Sequence, residues 1–285
     1  MQDILTQIDR LKEWRGFNAA EYITKKVRAI NNFFRDENLD AAVVGLSGGI
    51  DSSLVLALLQ EAKKQPGSPI KRIRAVVVPI CCNGATGQEK GVTNAIGFLN
   101  SYIEPDIEWI LIDGTKAFES IVEQCQSTTP WANGQMVSIL RTPIFYYQAA
   151  VMQTQGLKSL VCGTTNRTEL EIGFYGKASD GMNDLQVISD LFKYEVYEVA
   201  RQLGLPAELI DQNPEGGVWD GRNDEQLIGA PYWFVDGHLL AKQYKVSLPI
   251  DCPQHQEFVD NIEKICKVNE HKTRVGLPSR NINII

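Results

Sequence analysis

Short apolar runs alternate with stretches of helical length through the first two thirds of the chain. A run of four to eight apolar residues is typical of a buried strand, and apolar residues at i, i+3, i+4 and i+7 are typical of a helix. Strands that alternate with helices predict an α/β fold with a doubly wound, mostly parallel sheet and helices on both faces. The predicted strands are 41–46, 73–78, 109–112 and 160–162, and the predicted helices are 17–36, 52–64, 115–126, 193–203, 232–242 and 257–267.

Charge and composition exclude several classes of protein. The chain has 285 residues with a net charge of −7 and a pI near 5.1, which argues against nucleic acid or anionic membrane as a partner. No stretch has the ~20 apolar residues of a membrane span. None of the six cysteines forms a pair with the two-residue gap of zinc or redox sites, so reduced thiols and a cytoplasmic location are expected.

The sequence has no internal repeat and no linker that would divide it, so we expect a single domain over residues 1–285. In parallel α/β sheets, ligands bind beyond the carboxyl ends of the strands near a switch point. The loops that follow Leu46, Val78 and Cys162 are therefore where functional residues are expected.

The strongest local pattern is Ser-Gly-Gly-Ile-Asp-Ser-Ser at 47–53, between a predicted strand and a predicted helix. Adjacent glycines let the backbone turn tightly and present N–H groups, hydroxyls add donors, and the helix N-terminus supplies a favourable dipole. No lysine follows the glycines, so the loop differs from the Walker A loop. The pattern predicts a cradle for pyrophosphate with contacts from Gly45, Ser47, Gly48, Gly49, Ser52 and Ser53.

Asp51 is the unusual residue of this loop, because a carboxylate repels phosphates unless a cation lies between them. Carboxylate oxygens suit Mg²⁺, so we predict that Asp51 is a metal ligand. The alternative is that Asp51 only complements the dipole of the first helical turn.

Four further segments complete a resemblance to a known family. The 47–53 loop resembles the SGGxDS loop of ATP pyrophosphatases. Four more segments resemble motifs of ammonia-dependent NAD synthetases and occur in the same order as in that family: 163–177, 179–185, 213–225 and 271–278. Arg141 lies in a fifth region of similarity. The resemblance implies an adenine nucleotide alpha-hydrolase-like fold.

The resemblance also implies a reaction. In that family the carboxylate of nicotinic acid adenine dinucleotide attacks ATP, which gives an acyl-adenylate and pyrophosphate, and ammonia then displaces AMP. ATP is thus a co-substrate, Mg²⁺ the cofactor and a homodimer the expected assembly. No glutaminase domain is expected, so the nitrogen source would be free ammonia or ammonia delivered by a separate protein.

Roles for individual residues follow from the same resemblance. Catalytic roles fall to Asp180, which would hold ammonium and accept a proton, and to Lys177 and Lys193, which would neutralise phosphate charge. Lys177, Lys193 and Glu169 could instead be solvated charges on helix surfaces. The implied metal ligands are Asp51 and Glu169, the further ATP contacts are Thr164, Lys193 and Glu215, and the substrate contacts are Arg141, Lys177, Asp184, His271 and Lys272.

The sequence departs from the family pattern at three places, which comprise four residues. Glu215 replaces a hydroxyl residue, Ile139 replaces an arginine, and Ala178-Ser179 precedes Asp180 in place of Tyr/Phe-Gly. A carboxylate at 215 would repel phosphate, and Ile139 removes a cationic contact. Two alternatives therefore stay open, namely amidation of a related acid such as nicotinic acid mononucleotide, and a nucleotide-binding relative without turnover.

Overall fold

In the described part of the chain, a parallel sheet of six strands forms the centre of the protein. The computed structural model describes residues 2–82, 87–126, 129–211, 221–274 and 280–285. The strand order is β3-β2-β1-β4-β5-β6, and every pair is parallel, which confirms the predicted doubly wound sheet. The order reverses between β1 and β4. The strands are β1 (Ala41–Gly45), β2 (Arg72–Val77), β3 (Glu108–Leu111), β4 (Ser159–Gly163), β5 (Leu185–Gln186) and β6 (Arg280–Asn281).

Helices connect the strands and cover both faces of the sheet. Six of them, α2, α3, α5, α8, α11 and α12, were predicted from the sequence, and their bounds agree to within a few residues at each end, except at α12, which is longer. The other six were not predicted. Within the described ranges, no helix is long and apolar enough to cross a membrane. The helices are α1 (Gln2–Arg15), α2 (Ala19–Asp36), α3 (Ile50–Lys64), α4 (Gly87–Ser101), α5 (Thr115–Cys125), α6 (Pro130–Thr154), α7 (Arg167–Ile172), α8 (Lys193–Gln202), α9 (Ala207–Ile210), α10 (Asp224–Ile228), α11 (Tyr232–Tyr244) and α12 (Pro253–Arg274).

The central strands are apolar on both sides because both sides are buried. In β1, Ala42 and Val44 belong to the core formed with α2, α3 and α8, whereas Ala41 and Val43 belong to the core formed with α5 and α6. This alternation follows the two-residue period of a strand. It explains why the strand reads as a continuous apolar run in the sequence.

A third apolar core lies outside the sheet. It is formed by α1, α11 and α12 and includes Ile8, Phe234 and Ile262. Ile172 of α7 and Phe192, the residue before α8, also belong to it. The third core therefore packs against α7 and against the residue from which α8 begins.

Two stretches rich in Gly, Asn and Asp, 82–91 and 212–224, are predicted from the sequence to be long surface loops or mobile lids. The segment 82–91 looks like a loop in sequence, but α4 begins within it at Gly87. Residues 83–86 and 212–220 lie outside the described residues.

Candidate functional site

The predicted phosphate loop lies at the carboxyl end of β1 and enters α3. Gly48 has a φ of +84°, and a Cβ on it would lie 2.0 Å from the backbone oxygen of Gly91. Only glycine adopts this backbone conformation without strain at such a close approach. The phosphate loop is thereby packed against the first turns of α4.

Serine hydroxyls define the shape of the loop. Ser47 Oγ accepts from Gly49 N at 3.2 Å and lies 3.1 Å from Ser52 Oγ, which in turn donates to Gly49 O. Ser53 is buried, and its hydroxyl also donates to Gly49 O at 2.9 Å. The buried Ser52 and Ser53 thus hold the backbone of the loop by hydrogen bonds to Gly49 O, while Ser47 and Gly49 are exposed.

Gly45, the last residue of β1, lies against an aromatic ring. A Cβ at this position would approach Phe145 Cζ of α6 to 2.4 Å. The structure therefore gives this predicted ATP-binding glycine a packing role between the sheet and α6.

Asp51 is the centre of a group that we call the Asp51 cluster: Asp51, Asn166, Glu169 and Lys193. Lys193 Nζ donates to Asp51 Oδ2, and Asn166 Nδ2 donates to Asp51 Oδ1 at 2.9 Å. The Lys193 side chain is 3% exposed and that of Asp51 is 20% exposed. Because Lys193 is buried and paired with Asp51, the interpretation of Lys193 as a solvated charge on a helix surface is wrong.

Glu169 joins the cluster through the start of α7. Its Oε2 accepts from Asn166 N at 3.0 Å, and Asn166 Oδ1 accepts from Glu169 N at 3.0 Å, which forms a capping box. Burial and the negative charge of Asp51 raise the pKa of Glu169 well above its usual range. Burial lowers the pKa of Lys193, but the charges of Asp51 and Glu169 outweigh it and leave that pKa raised.

Two residues without a predicted role adjoin this cluster. Asp224 begins α10, and burial, with the charge of Asp51, raises its pKa while Lys193 acts in the opposite direction. Tyr232 hydrogen-bonds Asp224, and Lys193 Nζ lies 5.2 Å from the centre of its ring. Asp224 lies in the 213–225 segment, which resembles the family. That resemblance is the sequence signal from which a role for Asp224 could have been predicted.

Behind the cluster, a buried carboxylate links three helices. Asp236 of α11 accepts from Thr168 Oγ1 at 2.5 Å and from Tyr194 N at 2.9 Å. Thr168 Oγ1 also accepts from Lys193 N at 2.9 Å. Asp236 therefore fixes the beginning of α8, from which Lys193 extends, against α7, which carries Glu169.

The second group of predicted residues surrounds the Asp180 loop, defined as residues 173–184. Asp180 is exposed, and its Oδ2 lies 3.4 Å from Gly176 N and from Ser179 Oγ. Arg141 donates from Nε to Val78 O at 3.2 Å. Burial lowers the pKa of Arg141, while the charge of Asp180 acts in the opposite direction. Arg141 and Asp180 therefore share one electrostatic environment beyond β2.

The C-terminal end of α12 contacts the same loop. Lys272 Nζ donates to Gly173 O at 2.9 Å and to Tyr175 O at 2.6 Å. Burial lowers the pKa of Lys272, and the charge of Lys177 contributes to the decrease. Lys272 thus anchors the Asp180 loop in this structure, whereas Lys177 and His271 are exposed.

The remaining predicted residues occupy varied environments. Asp184 accepts from Val161 N at 2.8 Å and from Tyr146 Oη at 3.1 Å, so both of its oxygens are used within the protein. Thr164 is half-buried directly after β4, and Glu215 lies outside the described residues.

The Asp51 cluster offers donors of the kind that Mg²⁺ prefers. Asp51 and Glu169 interact electrostatically across the cluster, and a divalent cation would offset the burial of Glu169. Within the described residues, no three Asp, Glu, His or Cys side chains are arranged to hold a metal ion alone. The two carboxylates fit an ion that takes its other oxygens from phosphates and water.

Comparison with known proteins identifies the family. The model of the NAD synthase family matches residues 22–276. The chain is 32% identical over 263 residues to the NH(3)-dependent NAD(+) synthetase of Carboxydothermus hydrogenoformans, covering 90% of this chain and 96% of that protein. It is also 32% identical to the enzyme of the same name from Thermoplasma volcanium, covering 88% and 95%.

Solved structures show the same architecture. An NMN synthetase from Francisella tularensis superposes with a TM-score of 0.72 at 25% identity and covers 90% of this chain and 96% of its own. An NH3-dependent NAD synthetase from Campylobacter jejuni superposes with a TM-score of 0.67 at 22% identity, with 90% and 96% covered, which supports the fold.

Proposed function

The chain belongs to the NAD synthase family, and from this premise we propose that it is a ligase that amidates nicotinic acid adenine dinucleotide to NAD. ATP activates the carboxylate as an acyl-adenylate with release of pyrophosphate, and ammonia then displaces AMP. The observation that carries the proposal is the Asp51 cluster, which places Lys193 and two carboxylates next to a loop of glycines and serines at the start of α3.

In the first step, a carboxylate oxygen of the substrate bonds to the α-phosphorus of ATP, and the bond from that phosphorus to the pyrophosphate oxygen breaks. Exposed N–H and hydroxyl groups of the 47–53 loop bind the leaving pyrophosphate. Lys193 neutralises part of the charge that the two anions bring together. Asp51 and Glu169 would hold Mg²⁺, which supplies further neutralisation of phosphate charge when bound.

In the second step, the nitrogen of ammonia bonds to the carbonyl carbon of the adenylate, and the bond from that carbon to the AMP oxygen breaks. Asp180, exposed in its loop, accepts the proton that the nitrogen loses. Arg141, Lys177 and Lys272 supply positive charge around this loop and support binding of the substrate phosphates there. The proposed substrate and ATP contacts at Asp184, His271, Thr164 and Glu215 rest on the family resemblance alone.

A second candidate is amidation of nicotinic acid mononucleotide. Ile139, which replaces a family arginine, is 38% exposed on α6 and provides no charge for a second substrate phosphate. The NMN synthetase from Francisella tularensis supports this candidate as well, because its fold matches over most of both chains.

One experiment decides among these functions. The pure protein is incubated with ATP, Mg²⁺ and ammonium, together with the dinucleotide or the mononucleotide, and the amide, AMP and pyrophosphate are measured. NAD formation with one AMP per amide supports the main proposal, while amide from the mononucleotide alone supports the second. ATP binding without pyrophosphate release from either acid would contradict both proposals and favour the non-catalytic relative.

We further propose a homodimer, in line with the family resemblance, that acts in the cytoplasm. Trp131, Ile139 and Tyr147 are 59%, 38% and 68% exposed on α6, and a second copy of the chain would cover such apolar side chains. All six cysteines are free, which suits a reducing compartment. A monomer mass for the wild type by sedimentation, or an unchanged dimer in Trp131→Lys with Ile139→Lys, would contradict this assembly.

A further inference from the structure

The backbone carbonyl of Asp180 accepts three hydrogen bonds from side chains. Thr165 Oγ1 donates at 3.0 Å, Asn183 Nδ2 at 2.9 Å and Gln186 Nε2 at 3.2 Å. All three donors are buried, with Gln186 fully inaccessible. The main chain of Asp180 is therefore fixed from the side of the sheet, although its carboxylate is exposed.

The two amides make these bonds at a cost. Asn183 Oδ1 and Gln186 Oε1 are enclosed by protein atoms and accept no hydrogen bond from any described residue. Rotating either amide by 180° would turn its oxygen toward the Asp180 carbonyl, so the donors fix both orientations. A buried acceptor without a partner destabilises the folded state, and such groups call for an explanation.

The end of β4 is built to admit both amides. A Cβ on Gly163 would lie 2.3 Å from Asn183 Nδ2 and 2.5 Å from Gln186 Oε1. Glycine at 163 is thus required by the amides and not by its backbone conformation, because its φ lies outside the positive region. Three donors, and the glycine that makes room for two of them, therefore determine the position of one carbonyl.

We propose that Asn183 and Gln186 are positioning residues for the amination step, an inference that rests on the proposed role of Asp180. The Asp180 carboxylate has only two long contacts within its loop, at 3.4 Å. Its place opposite the incoming ammonia is consequently set by its main chain. The unpaired amide oxygens lower the stability of the folded protein. This loss is tolerated because the two amides hold the Asp180 carboxylate in place.

The test is the variant Gln186→Met, which removes one donor together with the unpaired oxygen and keeps the volume of the side chain. We expect the KM for ammonium to rise about tenfold, since small misplacements of a reacting group are costly, while the KM for ATP stays unchanged. We also expect no fall in the melting temperature. Gly163→Ala, which displaces both amides, should raise the KM for ammonium in the same way.

Gln60→Met is the matched control, because Gln60 is a buried glutamine whose Oε1 accepts from Glu104 N at 2.8 Å. It should lower the melting temperature and leave the KM for ammonium unchanged. Asp180→Asn separates the two levels of inference. If Asp180→Asn impairs ammonium use but Gln186→Met does not, or if Gln186→Met melts as early as Gln60→Met, the positioning role is overturned. A normal KM for ammonium in Asp180→Asn overturns the proposed role of Asp180 itself.

Discussion

The Asp51 cluster and the Asp180 loop lie on the same edge of the sheet but are stabilised in different ways. In the cluster, side chains bind side chains: Asp51 of α3 contacts Lys193 of α8 and Asn166, the N-cap residue of α7. In the Asp180 loop, side chains bind main-chain carbonyls, and the Asp180 carboxylate, which is proposed to act in amination, is exposed. In the proposed mechanism, charge neutralisation on phosphates thus depends on a preformed network, whereas the amination step depends on the path of a loop.

The comparison predicts the largest effect at Asp51. Asp51→Ala should lower the rate of pyrophosphate release by about a thousandfold or more, because both the proposed metal ligand and the partner of Lys193 are lost. The measurement is pyrophosphate release, with circular dichroism to verify folding. Asp9→Ala, at an exposed acid on α1, is the control and should retain full activity. Turnover near the wild-type rate in Asp51→Ala would remove the cluster from the mechanism.

The second largest effect is expected for Lys193→Met. Removing the buried cation leaves Asp51 and Glu169 facing each other without compensation, so we expect pyrophosphate release to fall about a hundredfold. Lys64→Met, at a surface lysine of α3, should be close to wild type. An effect confined to the KM for ammonium would contradict the assignment of Lys193 to the first step.

Asp236→Asn tests the support behind the cluster through the dependence of stability on pH. Burial raises the pKa of Asp236 to about 6 in the folded state, from about 3.9 in the unfolded chain. The wild type therefore loses stability as pH rises from about 4 through 6, by roughly 3 kcal/mol.

The asparagine variant lacks this loss. Its free energy of unfolding, relative to the wild type, should increase by roughly that amount between pH 4 and pH 7, as measured by denaturant titration. Asp9→Asn should show no such trend. Parallel pH profiles for the wild type and Asp236→Asn would refute the prediction.

The smallest effect is expected at Lys272, which donates hydrogen bonds to two carbonyls of the Asp180 loop. Lys272→Met should lower amide formation about tenfold by loosening the loop, with pyrophosphate release little changed. Lys267→Met, at an exposed lysine of the same helix, is the control. A rise in the KM for the dinucleotide in both half-reactions would instead indicate the direct phosphate contact that the sequence predicts.

The sequence predicts the parts of this molecule whose signals are local. The buried strand β1, the helix α3 and the loop between them are encoded by an apolar run, a helical period and two glycines. The 25-residue helix α6 is not among the predicted helices, because it carries Pro143 and exposes Trp131 and Tyr147, so it has no single apolar stripe.

The contacts within the site are the part that the sequence could not supply. Asp51 and Lys193 are 142 positions apart, and their pairing depends on parallel strand order and on the packing of α8 against α3. Asp236 gives no signal at all, since a single acid in an apolar helix is ambiguous until its partners are known. The substrate contacts of Arg141, Asp184 and Lys272 stay predictions.

Gly45, at the end of β1, and Gly48, in the phosphate loop, impose different constraints on the substitutions that this chain can accept during evolution. Gly45 faces a phenyl ring, so a methyl group there could be tolerated if Phe145 became smaller, and the two positions should covary among relatives. Gly48 faces the carbonyl of Gly91, and a backbone cannot be trimmed by substitution. The contact at Gly45 can therefore change by successive single substitutions. At position 48, by contrast, glycine is the one residue that fits.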